Sequence, residues 1–387
     1  MKRVLHIMSG YGGGISSLIA NLASQAPQHD LIFDVVTYDD CSQSFYQKIQ
    51  DTNGKVYGLK NPKKEGWKAF IASFEAVFQN HAYDLVHCHI AGYRAIPYAI
   101  IANRYQVPFI IHAHDTTGLA AKGWKAKMRE SFNRRINRQL SSVYLGCGPE
   151  AIQDKFAVLP QDPSFILPNA IDPARFMIAD SDFEMAKKQL RNQYGIDNDT
   201  IVFGQVGRLK EVKNHDFSLD LMAWLKAQDQ KVKLIIVGSG PLEAELERKI
   251  KQTGLIDQVD LIGRVEPVES IYPLFDILLL PSFSEGFPTT LVESQAMGIP
   301  ALVSDRVTPS VDLDLGLINY LDLSASKDQW WQAAKTLLNP DRVVLAQRMQ
   351  ALSGHALTLE AQGRVYAQLV KGRQTYQPGD IIDEKIS

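Results

Sequence analysis

Cysteine is sparse in this sequence, and the three that occur, Cys41, Cys88 and Cys147, are far apart and never spaced as C-x-x-C. An odd, scattered set argues against a disulfide framework or a cysteine-based zinc site and fits a reducing compartment. Long apolar runs are lacking too, and nothing approaches the roughly 18 residues a membrane-spanning helix needs. The apolar stretch after Lys2 and Arg3 is too short for a secretory signal, so a cytoplasmic protein is expected. Net charge is almost absent, −2 from 41 Lys+Arg and 43 Asp+Glu, and indicates no nucleic-acid partner. The charge is unevenly spread, however. Residues 1–170 hold 18 basic against 13 acidic side chains, and the remainder 23 against 30. A basic first half would suit an acidic acceptor or a membrane surface.

What the chain does have is length and alternation. At 387 residues it exceeds a single core, which predicts two domains. Short β-branched runs recur at 4–8, 31–38, 55–59, 84–89, 108–114 and 142–148, with helical patterns at 66–80, 92–105 and 123–140 between them. Near-continuous apolar strands separated by helices predict a parallel sheet covered on both faces. The pattern pauses at "ILPNAIDPARFMIADSD" (166–182), read as a linker, and restarts at 200–207, 232–238, 258–263, 276–282 and 300–305. The boundaries expected are 1–170, 171–354 and a final segment 355–387 whose helix spans 355–371. Ligands of such sheets bind beyond the strand carboxyl ends, so a cleft between the domains is the expected site.

Five stretches could carry chemistry. "SGYGGGISSLIANLA" sets Gly10, Gly12, Gly13 and Gly14 between the first strand and first helix, where backbone can approach an anion closely. It does not match G-x-G-x-x-G, and only Asp39 or Asp40 could be pressed into the ribose-binding role of a dinucleotide site. "GRLKEVKNHD" follows the first strand of the second unit with Gly207, Arg208 and Lys213. Those cations suit phosphate, although two solvated surface charges would read the same way. "IVGSGPLEAEL" is either a structural turn or an anion-binding loop. "SEGFPTTLVESQAMGIP" puts Glu285 before a helix opened by Pro288 and Glu293 on its second turn, with the amides of Thr289, Thr290 and Leu291 facing a possible diphosphate. Without an Asp-x-Asp or nearby His, a metal site is poorly supported there. A glycosidase carboxylate pair would leave the neighbouring cations unexplained. In "IIHAHDTTG", His112 and His114 point to opposite faces if the strand continues, and His114 is the functional candidate.

With those motifs in order, the chain resembles the retaining glycosyltransferases of family 4, most specifically in Glu285, seven residues, Glu293. "GRLKEVKN", "VGSGPLEAEL", "LPNAIDPARF", the triple glycine and "HAHD" support the likeness, and "ESQAMGIPALVSD" is most similar to bacterial capsular and exopolysaccharide members. The resemblance implies a GT-B fold, an α/β architecture of two Rossmann-like domains with parallel sheets facing a cleft. It implies that Arg208 and Lys213 neutralise the donor diphosphate and that Glu293 binds the ribose. Glu285 and His114 would contact the transferred sugar, and Gly13 and Gly14 would close over the phosphates. The implied donor is a UDP-sugar, used without cofactor or metal, and the acceptor a lipid-linked glycan or oligosaccharide. A UDP-sugar epimerase or a glycan phosphorylase on the same fold is the nearest alternative. A dinucleotide-dependent oxidoreductase and a non-catalytic nucleotide-binding protein are more distant ones.

One further segment, 122–140, carries Lys122, Lys125, Lys127, Arg129, Arg134, Arg135 and Arg138 against Glu130, with Trp124, Met128, Phe132 and Ile136 recurring every fourth residue. A basic amphipathic helix of this kind can lie peripherally on an anionic membrane, or be an ordinary docked helix with a solvated face.

Overall fold

The computed structural model describes all residues except 12, 117–122, 160, 339–342, 356 and 373–387. The chain divides into two compact units. Met1–Ala170 joins the C-terminal segment that includes the helix Leu359–Lys371, and Ile171–His355 forms the other.

In the first unit seven strands run parallel: β1 (Lys2–Ile7), β2 (Leu31–Thr37), β3 (Val56–Gly58), β4 (Leu85–Cys88), β5 (Phe109–Ala113), β6 (Tyr144–Gly146) and β7 (Ser164–Ile166). Their order is β3-β2-β1-β4-β5-β6-β7, so the winding reverses between β1 and β4. Helices on both faces bury the sheet, which is why even alternate positions of β4 and β5 are shielded. The core draws Leu18, Ile19 and Leu22 from the helix Gly14–Gln25 and Tyr366, Ala367, Leu369 and Val370 from Leu359–Lys371. Thr358 caps that last helix, its hydroxyl accepting from the Ala361 amide.

The second unit has six parallel strands in the order β10-β9-β8-β11-β12-β13. They are β8 (Ile201–Val206), β9 (Val232–Val237), β10 (Val259–Leu261), β11 (Ile277–Leu280), β12 (Ala301–Ser304) and β13 (Ile318–Leu321). Strands β11 and β12 are wholly buried, as the apolar runs predict. The segment read as a linker is more structured than expected. It contains a short helix, Pro173–Phe176, opened by Asp172, whose carboxylate accepts from the Ala174 amide.

Candidate active site

In the second unit the loops after β8 and β9 lock together through main chain. The Gly207 amide donates to the Val237 carbonyl, Leu209 to Ser239, and Gly238 to Gly263. A Cβ on Gly238 would lie 1.8 Å from the Gly207 oxygen, and its φ of 142° disfavours any side chain. Across this glycine platform runs Lys213, its Cε 3.1 Å from where a Gly207 Cβ would stand. The turn Glu211–Lys213 is pinned by Gln205, whose amide nitrogen donates to the Lys213 carbonyl at 2.9 Å. Phe283 N–H donates to the Val212 carbonyl, and Asn214 donates to the Pro281 carbonyl. These bonds bring the 281–285 loop alongside the turn, so that Lys213 Nζ meets Glu285 Oε1 at 2.7 Å with the two side chains only 15% and 13% exposed. Arg208 projects from the same loop, exposed and without an ion pair among the described residues.

The helix Thr289–Ala296 begins just beyond, as Pro288 predicts, and puts Glu293 on its second turn. Arg348 is fully buried and donates to the Ala296 carbonyl, fixing the other end. Tyr272 donates to Glu293 Oε2, while Arg175 grips Glu269 through two bonds of 2.9 and 2.6 Å. Burial pushes the Glu293 carboxyl above its usual range, against hydrogen bonds from Tyr272 and Thr289 and the charge of Arg175. One expectation needs correcting. The Leu291 amide donates to the Pro288 carbonyl, so it is not available to a diphosphate in the way expected of Thr289, Thr290 and Leu291 together.

In the first unit, Gly13 caps the helix Gly14–Gln25 with φ 108°, and among the described residues, the chain neighbours and the helix's own backbone apart, no atom lies within 4 Å of a Cβ built on Gly13 or Gly14. Both positions are open to a close ligand; Gly12 lies outside the described residues. Asp39 Oδ2 accepts from the Tyr11 amide at 3.0 Å, so this carboxylate fastens the glycine loop and is not turned to a ribose.

The histidines overturn the opposite-face expectation. Strand β5 ends at Ala113, and the rings of His112 and His114 lie 4.0 Å apart. Three more histidines join them: His6 from β1, His87 from β4 and His89 just beyond it. His114 Nε2 meets His89 Nδ1 at 2.8 Å, and His89 Nε2 meets His6 Nδ1 at 3.2 Å. His87 bonds the Tyr366 hydroxyl through Nδ1 at 2.8 Å and His112 Nδ1 through Nε2 at 3.2 Å. Burial lowers His6 to about 3 and His114 to about 4, and it holds His87, His89 and His112 well below the usual value. Nitrogens of His6, His87 and His89, and of His89, His112 and His114, lie within 4.8 Å of one another, close enough for a metal ion in each group.

The basic segment forms the helix Trp124–Leu140, with Lys122 outside the described residues. Its apolar stripe splits: Ile136 is buried, whereas Trp124, Met128 and Phe132 are 68%, 63% and 59% exposed. Two of the arginines turn inward, Arg134 to the Asp154 carbonyl and Arg138 to Asp162 at 2.7 Å. They belong to the unit's own packing and are not a free basic face.

The Glycosyl transferase 4-like domain matches residues 13–152, and Glycosyl transferases group 1 matches residues 186–313. The glycosyltransferase EpsF of Bacillus subtilis is 30% identical over 334 residues, covering 85% of this chain and 86% of that protein. The chain belongs to the group 1 glycosyltransferases. A UDP-Gal:alpha-D-GlcNAc-diphosphoundecaprenol alpha-1,3-galactosyltransferase of Escherichia coli is 25% identical over 245 residues, 61% of each chain. The structure of Anabaena HepE in complex with UDP and glucose superposes with a TM-score of 0.74 at 18% identity, covering 96% of this chain and all of that one. The two parallel-sheet units of this glycosyltransferase therefore form a GT-B fold. Its group 1 region contains Gly207, Arg208, Lys213, Glu285, Thr289, Thr290, Leu291 and Glu293 together. Arg175, Glu269 and Tyr272 around Glu293 went unread in the sequence, although "LPNAIDPARF" had marked the neighbourhood of Arg175. His6, His87 and His89 were missed as well; the repeated H-x-H of 87/89 and 112/114 was their signal.

Proposed function

We propose that this glycosyltransferase moves a sugar from a nucleotide-diphosphate donor, a UDP-sugar, to a lipid-linked glycan acceptor in bacterial exopolysaccharide or capsule assembly, with retention at the anomeric carbon and without a metal. The observation that carries the reading is the Lys213–Glu285 pair laid over the glycine platform with Arg208 beside it. Breaking the sugar–diphosphate bond leaves negative charge on the departing phosphate. Fixed cations stabilise that charge without reorganising as it forms. Glu285 holds Lys213 over Gly207 and contacts hydroxyls of the transferred sugar. Glu293, oriented by Tyr272, binds the ribose. The amides of Thr289 and Thr290 face the phosphates, Gly13 and Gly14 close over them, and His114 contacts the sugar. The departing phosphate takes up the acceptor proton in a front-face displacement. The likeness to relatives whose names carry UDP supports the UDP donor, and the diphosphoundecaprenol substrate in the name of the E. coli relative supports the lipid-linked acceptor.

No described helix is long and apolar enough to cross a membrane. Peripheral contact is part of the reading, through Trp124, Met128 and Phe132 flanked by exposed Lys125, Lys127, Arg129 and Arg135, a surface whose chemistry matches anionic lipid. A donor panel with diphosphoundecaprenol-linked acceptors tests the assignment by following nucleotide release and the anomeric configuration of the product. UDP released only with acceptor present, and a retained anomeric centre, are expected. Conversion of the donor without acceptor, or a requirement for inorganic phosphate, would favour the epimerase or phosphorylase instead.

A further inference from the structure

The loops after β4 and β5 leave the first sheet at its carboxyl end, the end where ligands of open α/β sheets bind. Both loops are braced by the same polar side chains. Asn137, fully buried on the helix Trp124–Leu140, accepts from the Gly92 amide at 2.6 Å and donates to the Lys155 carbonyl at 2.8 Å. The loop after β4 and the last turn of the helix Pro149–Phe156 therefore hang on one residue. From that turn Lys155 Nζ reaches Asp154 Oδ2 at 2.8 Å and Asp115 Oδ1 at 2.7 Å. Asp115 directly follows His114, and the exit of β5 is fixed where the Cys147 amide donates to the Ala113 carbonyl at 3.0 Å. Arg134 Nη2 lies 3.5 Å from Asp154 Oδ1, so charges alternate along Arg134, Asp154, Lys155 and Asp115 and sum to zero. The two inner members are almost dry: the Asp154 side chain is fully buried and that of Lys155 is 12% exposed, whereas Asp115 is 53% exposed. Ion pairs between two solvated partners fix little. Here a shielded lysine, clasped between two carboxylates, holds one oxygen of Asp115 while that carboxylate stays open to solvent.

We propose that Asp115 binds the acceptor glycan, its carboxylate accepting hydrogen bonds from acceptor hydroxyls, with Lys155 as the positioning residue that aims it. The inference rests on the function proposed above, in which Glu285 and His114 serve the transferred sugar and the acceptor is still without a contact. An ionised carboxylate has acceptors only, so it pairs with sugar hydroxyls and repels phosphate oxygens. Asp115 therefore suits the sugar of a lipid-linked acceptor and not its diphosphate. Hydrogen bonds to a charged group are the strong ones, and Lys155 keeps that charge compensated beside an anionic donor.

Asp115→Asn keeps the shape and removes the charge. Steady-state transfer from a UDP-sugar to diphosphoundecaprenol-linked acceptors, with the full chain, tests it. KM for the acceptor should rise about tenfold, the scale of one hydrogen bond to a charged group. KM for the UDP-sugar, and the affinity for UDP measured by titration calorimetry, should stay within about twofold, less than the loss of one neutral hydrogen bond. An unchanged acceptor KM, or a rise in the donor KM as large as that for the acceptor, overturns the proposal. Lys155→Met should raise the acceptor KM as well, and the double variant should be no worse than Asp115→Asn alone, because Lys155 acts through Asp115. A loss of stability alone would leave the two KM values in proportion, and additive effects would overturn the role of Lys155. If the wild-type chain transfers to none of the acceptors, the proposed function itself fails and takes this inference with it, so the two failures are distinguishable.

Discussion

Glu285 meets Lys213 through one carboxylate oxygen, and in the proposed function that contact serves the chemical step more than nucleotide binding. Replacing Glu285 with Gln removes the charge that holds Lys213 over Gly207 but keeps the volume. Turnover is expected to fall on the order of 10²–10³-fold, the cost typical of losing one fixed partner of a developing charge. Nucleotide affinity, measured by titration calorimetry, should change only a few-fold; equal turnover in the variant would count against the assignment. The Glu285–Glu293 spacing, the two cations and the glycines were all legible in the chain. That Glu285 pairs with Lys213 was not, because their proximity arises from a main-chain bond between Phe283 and Val212, which leaves no mark on residue type. The same holds for Tyr272 and Arg175, ordinary in sequence until the fold gathers them around Glu293.

Elements were easier to read than their edges. Wholly buried strands such as β11 and β12 announce themselves through unbroken apolar runs, and all eleven strand positions expected are occupied by strands. The two unforeseen strands explain themselves: β7 has three residues, and β13 is half-buried along its length, so neither builds a period. The interlocked glycine loops make a sharp prediction at this scale. Gly238→Ala drives a methyl into the Gly207 carbonyl at a backbone angle Ala resists, and a loss of at least about 3 kcal/mol is expected in denaturant unfolding. The helix Trp124–Leu140 was correctly placed, but the disposition of its faces was not. Its Arg134 and Arg138 are paired inside the unit. Binding to anionic vesicles should therefore weaken when Trp124, Met128 and Phe132 become Ser and respond little to Arg138→Gln; sedimentation with vesicles decides.

For the whole molecule, a cluster of five histidines, four buried and His114 half-buried, ties stability to pH. In the unfolded chain each would take up a proton near pH 6.5, whereas in the fold His6 resists until about 3 and His114 until about 4. Asp115 acts in the opposite sense on His114, but burial outweighs it. The unfolded state therefore binds more protons below about pH 6.5, and stability should be level above that value and decline towards pH 4, by up to about 1.4 kcal/mol per pH unit for each such group. Denaturant midpoints at pH 7.5 and pH 5 measure this, and equal midpoints would contradict it.

The helix Leu359–Lys371 has a consequence for how the protein is made. It supplies Tyr366, Ala367, Leu369 and Val370 to a core otherwise assembled from the first 170 residues. A ribosome releases those early strands long before it reaches the residues that close them. The second unit is complete while the first still waits for its last helix, so the part of the enzyme translated first is the part finished last. A chain stopped after His355 should leave the nascent first half open to proteases while the second unit resists them.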